Sequence, residues 1–486
     1  MSHRGGCRAR EVAASAARRI VWRNAATPTR VPFTGIGYGH SSDQSGRLDI
    51  SHRHPAMQSR RNFVNALLGA GIAAPVMRGD AFRRLLRAEA VGGKLAPSAV
   101  SDDESYWSQI QRAFDLDRTM INLNNGGCSP APTHVLEQMI RDLRFSNELP
   151  VDHMWRVLEP RIESVRHDLA REFGCDVEEM AITRNASEAN ETMIFGIDLK
   201  AGDEVVMTTQ NYPRMQNAWR QRERREGIVL KRVKLETPVA STASYVDQIA
   251  AAITPRTKVI EVMHISFQTG YIAPVREIVD LAKPKGIQVF VDGAHAFAHF
   301  PFTRDELGCD YYGTSLHKWL HAPIGTGFLY VRRDRIKSLW PLMAGSAEQE
   351  SDIRKYEEIG THPAANHNAI SVAIAFNRGI GAERKIARLR YLRDRWAKQL
   401  LAASDRVKMI TEIGPTKSGA IGVVAVAGMD MGKLGGWLLD KHRIVTTPMV
   451  TDEFNGMRIT PNVYTTTDEV DLFADRVIKA IKQGLA

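Results

Sequence analysis

Five short apolar or β-branched runs dominate the middle of the sequence: Val205 to Thr208, Val229 to Leu235, Val259 to Ile265, Val289 to Val291 and Gly327 to Val331. Helical stretches such as Val275 to Lys283 separate several of them. Runs this short, with helices between them, predict a mostly parallel sheet covered by helices, an α/β architecture. After Gly345 the pattern changes to a long helical region, roughly Ala364 to Leu401, and then to a smaller α+β piece with a strand at Gly422 to Ala427. Residues 96–365 are therefore expected to form an N-terminal segment and a large domain, and residues 366–486 a long helix and a small C-terminal domain. At 486 residues the chain can bury such a core without disulfide or metal staples.

The formal charge of +10 is concentrated at one end. Residues 1–61 hold eleven Arg against Glu11, Asp43 and Asp49, a net +8, so the remaining 425 residues carry only +2. A near-neutral body lacks the phosphate-tracking surface that nucleic-acid binding needs. Residues 1–56, rich in Arg, Ser, Gly and Ala without a sustained period, read as a disordered extension or as a miscalled start ahead of Met57. The string Ser59-Arg60-Arg61-Asn62-Phe63 resembles the twin-arginine export signal. The weakly apolar stretch behind it, Phe63 to Val76, is about 14 residues long, too short to span about 30 Å of hydrocarbon. Residues 57–95 are thus read as signal and linker, with Ala88-Glu89-Ala90 as a small-x-small cleavage candidate. This reading implies a periplasmic or otherwise exported protein with no stable membrane insertion; without the signal the protein is cytoplasmic. Four scattered cysteines with no C-x-x-C pair indicate neither a disulfide framework nor a thiolate zinc site.

The chemistry concentrates in Phe290-Val-Asp292-Gly-Ala294-His295, then Thr314-Ser315-Leu-His317-Lys318-Trp319, then Gly325-Thr-Gly327 and an apolar strand. A lysine amine such as Lys318 can form a Schiff base with an aldehyde cofactor. A carboxylate at a strand's carboxyl end, where Asp292 lies, can keep a pyridine nitrogen protonated and make its ring an electron sink. Ser315 and His317 flank the lysine with donors suited to phosphate. An i, i+4 pairing of His295 and His299 on zinc would need a helix and a third ligand that this loop does not suggest. No metal is expected.

This joint pattern resembles the class V aminotransferase family of pyridoxal-phosphate enzymes, in its isopenicillin N epimerase-like branch, from about Asn122 to Leu472. The resemblance implies pyridoxal-phosphate fold type I, with Lys318 and Asp292 catalytic. It also implies roles for other segments. Ala186 and Ser187, in Thr183-Arg184-Asn185-Ala186-Ser187-Glu188-Ala189-Asn190, match the element that cradles the cofactor phosphate at a helix start. Tyr212 falls where relatives stack an aromatic or His on the pyridine ring, and His295 where a Gln or His reaches the phenolic oxygen. Arg458, in Met457-Arg458-Ile459-Thr460-Pro461, matches the arginine that binds the α-carboxylate. Asn124 and Asn125 resemble the Asn/Gly-rich loop over the site. Thr361, in Gly360-Thr361-His362-Pro363, resembles a segment that offers a hydroxyl to the partner subunit's phosphate, which implies a homodimer.

Two departures bear on the reaction. Phe267 stands where many desulfurases have Asn. Between Gly419 and Arg458 there is no Cys, whereas desulfurases carry their nucleophilic Cys on a loop before that arginine. Cys128, Cys175 and Cys309 read as small buried thiols. The expectation is an enzyme that abstracts the Cα proton of an amino acid or amino-acid-bearing peptide, as an epimerase or aminotransferase. A cysteine desulfurase or lyase is the alternative within the family. A catalytically idle binding protein on the same scaffold is the alternative outside it, and it would be expected to lose Lys318 or Asp292.

Overall fold

A computed structural model describes residues 80–485 except Lys94 and Pro415. The Arg-rich extension and the twin-arginine string lie outside the described residues. The first described element is helix α1 (Asp80–Gly92). Leu85 and Ala88 are 2% and 0% exposed, in a core cluster with Tyr106, Trp107 and Ile380. Glu89 pairs with Arg384 at 2.8 Å. Ala88-Glu89-Ala90, read as a cleavage candidate, is therefore helical and packed, and a cut there would strip Leu85 and Ala88 from this core.

Strand β1 (Ile121–Asn122) precedes helix α2 (Thr133–Glu148). The large domain then alternates: β2 (Met180–Thr183), α3 (Ala186–Gly196), β3 (Glu204–Thr208), α4 (Pro213–Glu226), β4 (Val229–Val233), β5 (Thr257–Met263), α5 (Val275–Ala282), β6 (Gln288–Asp292), β7 (Tyr311–Ser315) and β8 (Gly327–Val331). These strands form one sheet in the order β2-β8-β7-β6-β5-β3-β4. From β4 to β7 the neighbours are parallel; β8 runs antiparallel to both β7 and β2. The five expected runs all became strands, and the mostly parallel mixed sheet of fold type I is present. Every residue of β2, β3, β7 and β8 is buried, which explains why these strands show no alternation, whereas edge strand β4 is partly exposed.

The long helical region is two helices, α6 (Ala364–Ile380) and α7 (Ala382–Ala403), broken at Gly381. Its φ of 86° is open to glycine at little cost, and a continuous helix cannot contain it. Beyond lie β9 (Val407–Met409), β10 (Gly422–Val426), α8 (Met431–His442), β11 (Ile444–Val445), β12 (Thr447–Val450), β13 (Asn455–Ile459) and α9 (Thr467–Gln483). The smaller sheet is antiparallel, in the order β12-β13-β10-β9. It packs with α7, α8 and α9 around Trp396, Phe473 and Leu438. β1 pairs in parallel with β11, so the loop after β1 is anchored on the C-terminal part. Among the described residues no helix is long and apolar enough to cross a membrane.

Candidate active site

The carboxyl ends of β5 and β6 lie level, with Met263 opposite Asp292, and Asp292 lies opposite Gly313, two residues before the end of β7. Asp292, the last residue of β6, is 6% exposed and accepts from the Ala294 N–H at 3.0 Å. Burial raises its pKa, while the Ala294 bond and the charge of Lys318 lower it. Lys318 follows β7 by three residues. Its Nζ lies 3.2 Å from Nε2 of His295. Burial pushes Lys318 down to about 8 against the pull of Asp292. Burial and then the charge of Lys318 hold His295 far below its ordinary value, so its ring is neutral. With Lys318 as the ammonium donor, Nε2 is the acceptor and the ring proton sits on Nδ1.

The other end of the site is the start of α3. Asn185 caps it, accepting from the Glu188 N–H at 3.0 Å, and the Ala186 N–H donates to Oγ of Ser315 at 2.9 Å. The Ser315 hydroxyl keeps its proton free to donate. In this first turn the Ser187 N–H has no partner among the described residues, which leaves one donor for an anion. Burial and Lys318 bring His317 down to about 4.

Tyr212 immediately precedes α4 and is 42% exposed, with its ring edge-on to Phe267 at 5.4 Å. A buried network sets this turn. Thr208 donates from its N–H and hydroxyl to Oδ1 of Asn211 at 3.0 and 2.6 Å. Asn211 Nδ2 in turn donates to Glu261 at 2.9 Å, and Trp219 Nε1 donates to the second Glu261 oxygen at 2.5 Å. Glu261 and Asp292 occupy neighbouring strands on the same sheet face. Burial, and then Asp292, push Glu261 up to about 8.

Arg458 on β13 is 5% exposed, and its charge is felt by both Lys318 and His295. Its Nη atoms donate to the Phe267 carbonyl at 3.0 Å, Asn124 Oδ1 at 2.9 Å and Thr447 Oγ1 at 3.4 Å. All three acceptors are neutral. Nε is buried without a partner, and no carboxylate among the described residues pairs with the guanidinium.

Lys318, Asp292, His295, Ser315 and His317 line one cavity of about 340 Å³, with Ala186, Ser187 and Tyr212 on its walls. Asn124 joins the site through Arg458. Asn125 does not: it is fully buried, its Nδ2 donates to the carbonyls of Thr460 and Asn122 at 2.9 and 3.1 Å, and its Oδ1 accepts from Tyr464. That saturation corrects its assignment to substrate binding. Thr361 is exposed on a loop and is not on the cavity wall. Cys128 also departs from expectation. It is half-buried beside the site, with Sγ 3.6 Å from the His317 carbonyl, and burial raises its pKa.

Sequence reasoning passed over Asn190 and Arg214, which line the cavity, and Glu261 beneath it. Glu261 left a signal, an acid in the middle of an otherwise apolar strand. Asn190 Oδ1, His295 Nδ1 and His317 Nδ1 are buried without partners. With the Ser187 N–H and the Ser315 hydroxyl, these atoms suit a ligand that carries an anion at one end and ring heteroatoms at the other.

Residues 121–473 match the family described as aminotransferase class-V. The chain belongs to that family. Isopenicillin N epimerases of Streptomyces clavuligerus and Amycolatopsis lactamdurans are each 29% identical to it over 388 residues, covering 76% of this chain and 97% of the relative. A probable cysteine desulfurase of Synechocystis is 28% identical over 281 residues, 54% of this chain and 66% of the relative. Two solved structures share the fold. The cysteine desulfurase CsdA of Escherichia coli has a TM-score of 0.68 at 21% identity, covering 77% of this chain and 98% of the other. A C-DES variant with glycine covalently linked to its pyridoxal-phosphate cofactor has a TM-score of 0.65 at 20% identity, covering 74% and 97%. This class V protein uses pyridoxal phosphate, and the donor set described above fits it.

Glu261 generates a pH prediction. In the folded protein it stays neutral up to about pH 8, whereas in the unfolded chain it ionises from about its ordinary 4.5. Between those values the folded state binds the extra proton, so a stabilising contribution present below pH 4.5 is lost as pH rises towards 8. Glu261→Gln removes that titration but turns an amide NH2 towards a donor, a cost of about 1–2 kcal/mol. Urea unfolding should therefore show a deficit against wild type at pH 5 that shrinks by pH 8. A deficit of constant size would show that Glu261 takes up no proton on folding.

Proposed function

We propose that this protein removes and returns the Cα proton of an amino acid or amino-acid-bearing peptide, as an epimerase or a transaminase. The observation that carries the reading is the pairing of an amine near neutral pKa with a buried, unneutralised guanidinium. Lys318 can exchange a proton at Nζ near pH 8, and Arg458, paired with no carboxylate among the described residues, offers a charge partner to an α-carboxylate. Pyridoxal phosphate, when bound, withdraws electrons from the substrate's Cα–H bond. Neutral His295 orients Nζ of Lys318, and Asp292, buried at the carboxyl end of β6, supplies negative charge to a ring nitrogen. The wide coverage of the isopenicillin N epimerases supports this branch.

One observation favours a second reading, cysteine desulfuration: Cys128 lies beside the site. A persulfide mechanism needs a reactive thiolate, and burial keeps this thiol protonated. An idle binding protein would have no use for the retained Lys318 and Asp292.

The test is exchange of the Cα proton with solvent deuterium, followed by mass spectrometry and chiral chromatography over a panel of amino acids and short peptides. Exchange is expected to fall about 100-fold or more in Asp292→Asn, to depend on Arg458 for substrates with a free α-carboxylate, and to proceed without sulfide release from cysteine. Rapid sulfide release that Cys128→Ser abolishes would replace this reading with the desulfurase.

We also propose a homodimer in which Thr361 completes the partner's phosphate site, on the strength of its exposed loop position and the family resemblance. Light scattering should find two copies per particle; an active monomer at working concentration would contradict it.

Export by the twin-arginine route is proposed from the residue string alone. An Arg60→Lys, Arg61→Lys double variant should stay in the cytoplasm on fractionation, and an unchanged distribution would remove the proposal.

A further inference from the structure

We propose that Arg214 receives a second, distal carboxylate, so that the protein selects amino acids or amino-acid-bearing peptides that carry two carboxylates. The inference rests on the reading that Arg458 takes the α-carboxylate. Arg214 is the second residue of α4, two positions beyond Tyr212, and it lines the same cavity as Lys318 and Asp292. Its side chain is exposed and makes no hydrogen bond or ion pair with any described residue. Arg184, just before the start of α3, differs, because Glu188 accepts from its Nε and Nη2 at 3.1 and 2.8 Å.

The charge balance of the cavity wall points the same way. Its only acidic side chain is Asp292, which is buried and faces the charge of Lys318. With Asp292 and Lys318 facing each other, Arg214 is left with no acidic neighbour on that wall, and an uncompensated cation in a cleft draws anions towards it. A chain of contacts joins the two guanidiniums. Arg458 donates to the Phe267 carbonyl at 3.0 Å, the Phe267 ring meets Tyr212 edge-on at 5.4 Å, and Tyr212 leads through Pro213 to Arg214. An aromatic pair connecting two cations suits a molecule with methylenes in the middle and a carboxylate at each end. The guanidinium fork matches a carboxylate in a way that discriminates against the isosteric amide. The cofactor phosphate has donors of its own in the Ser187 N–H and the Ser315 hydroxyl.

The experiment is a spectral titration of the pyridoxal-phosphate holoenzyme with α,ω-dicarboxylic amino acids of increasing methylene count, each paired with its ω-amide. At a chain length that reaches Arg214, the dicarboxylate should bind about fivefold or more tightly than its amide. This ratio should shrink as ionic strength rises. Arg214→Gln should bring the ratio close to one, and Arg214→Lys should keep part of it. A wild-type ratio near one at every length, or a ratio that survives in Arg214→Gln, would overturn the inference. So would an Arg214→Gln protein that loses cofactor while its ratio is unchanged, because Arg214 would then serve the phosphate. If no amino acid changes the wild-type spectrum, the proposed function itself fails first.

Discussion

A guanidinium buried without an anion organises this molecule. Taking the charge of Arg458 out of water costs several kcal/mol unless its donors are met. The fold meets the two Nη groups, though not Nε, with neutral oxygens from three separate places: the loop after β1, the loop after β5 and strand β12. Those segments converge on the cation, and backbone pairing of β1 with β11 and of β12 with β13 holds two of them there. The loop after β5 is pressed closer still at Gly270, where a Cβ would lie 2.5 Å from the Ile421 carbonyl. Neutral partners leave the positive charge uncompensated.

The lysine is held from behind by a second buried cation. Lys385 is fully buried and donates to the Trp319 carbonyl, one residue past Lys318, and to Asn377 Oδ1 at 2.8 Å. Burial takes it down to about 7. His299 stacks on Trp319 at 3.7 Å, donates from Nδ1 to the His295 carbonyl at 2.8 Å and accepts from the Ala420 N–H at 2.7 Å. One imidazole thus ties the His295 loop, the Lys318 loop and the entry to the small sheet. The histidine rejected as a zinc ligand is a positioning group.

The sequence revealed most where local chemistry and periodicity agree. The lysine, its strand-end acid and the helix-start cradle all lie on short stretches whose residue types match their tasks, and they meet in one cavity. The five apolar runs sit in the sheet for the same reason. Strands β2 and β7 escaped because they are short and mixed. In β7, Gly313 stands where a Cβ would lie 2.2 Å from Asn190 Oδ1, a demand that exists only once the helix is packed. Asn124 and Asn125 are indistinguishable as letters, and the pairing of β1 with β11 decides which of them reaches Arg458. Nothing in the residues around Arg214 marks it out, and only the fold places it on the cavity wall.

The strand-to-strand closure between β1 and β11 also sets a clock on the ribosome. Asn124 and Arg458 are 334 positions apart, and Ser129 waits for Asn462 across 333. The large sheet can gather as its strands emerge, since its parallel neighbours lie close in the chain. The wall around Arg458 cannot exist until β13 has been translated. A nascent chain stalled before β13 would hold Lys318 beside the large sheet yet lack the guanidinium of Arg458 and the contacts that gather around it. The Arg458 contacts therefore form together, once β13 has been translated.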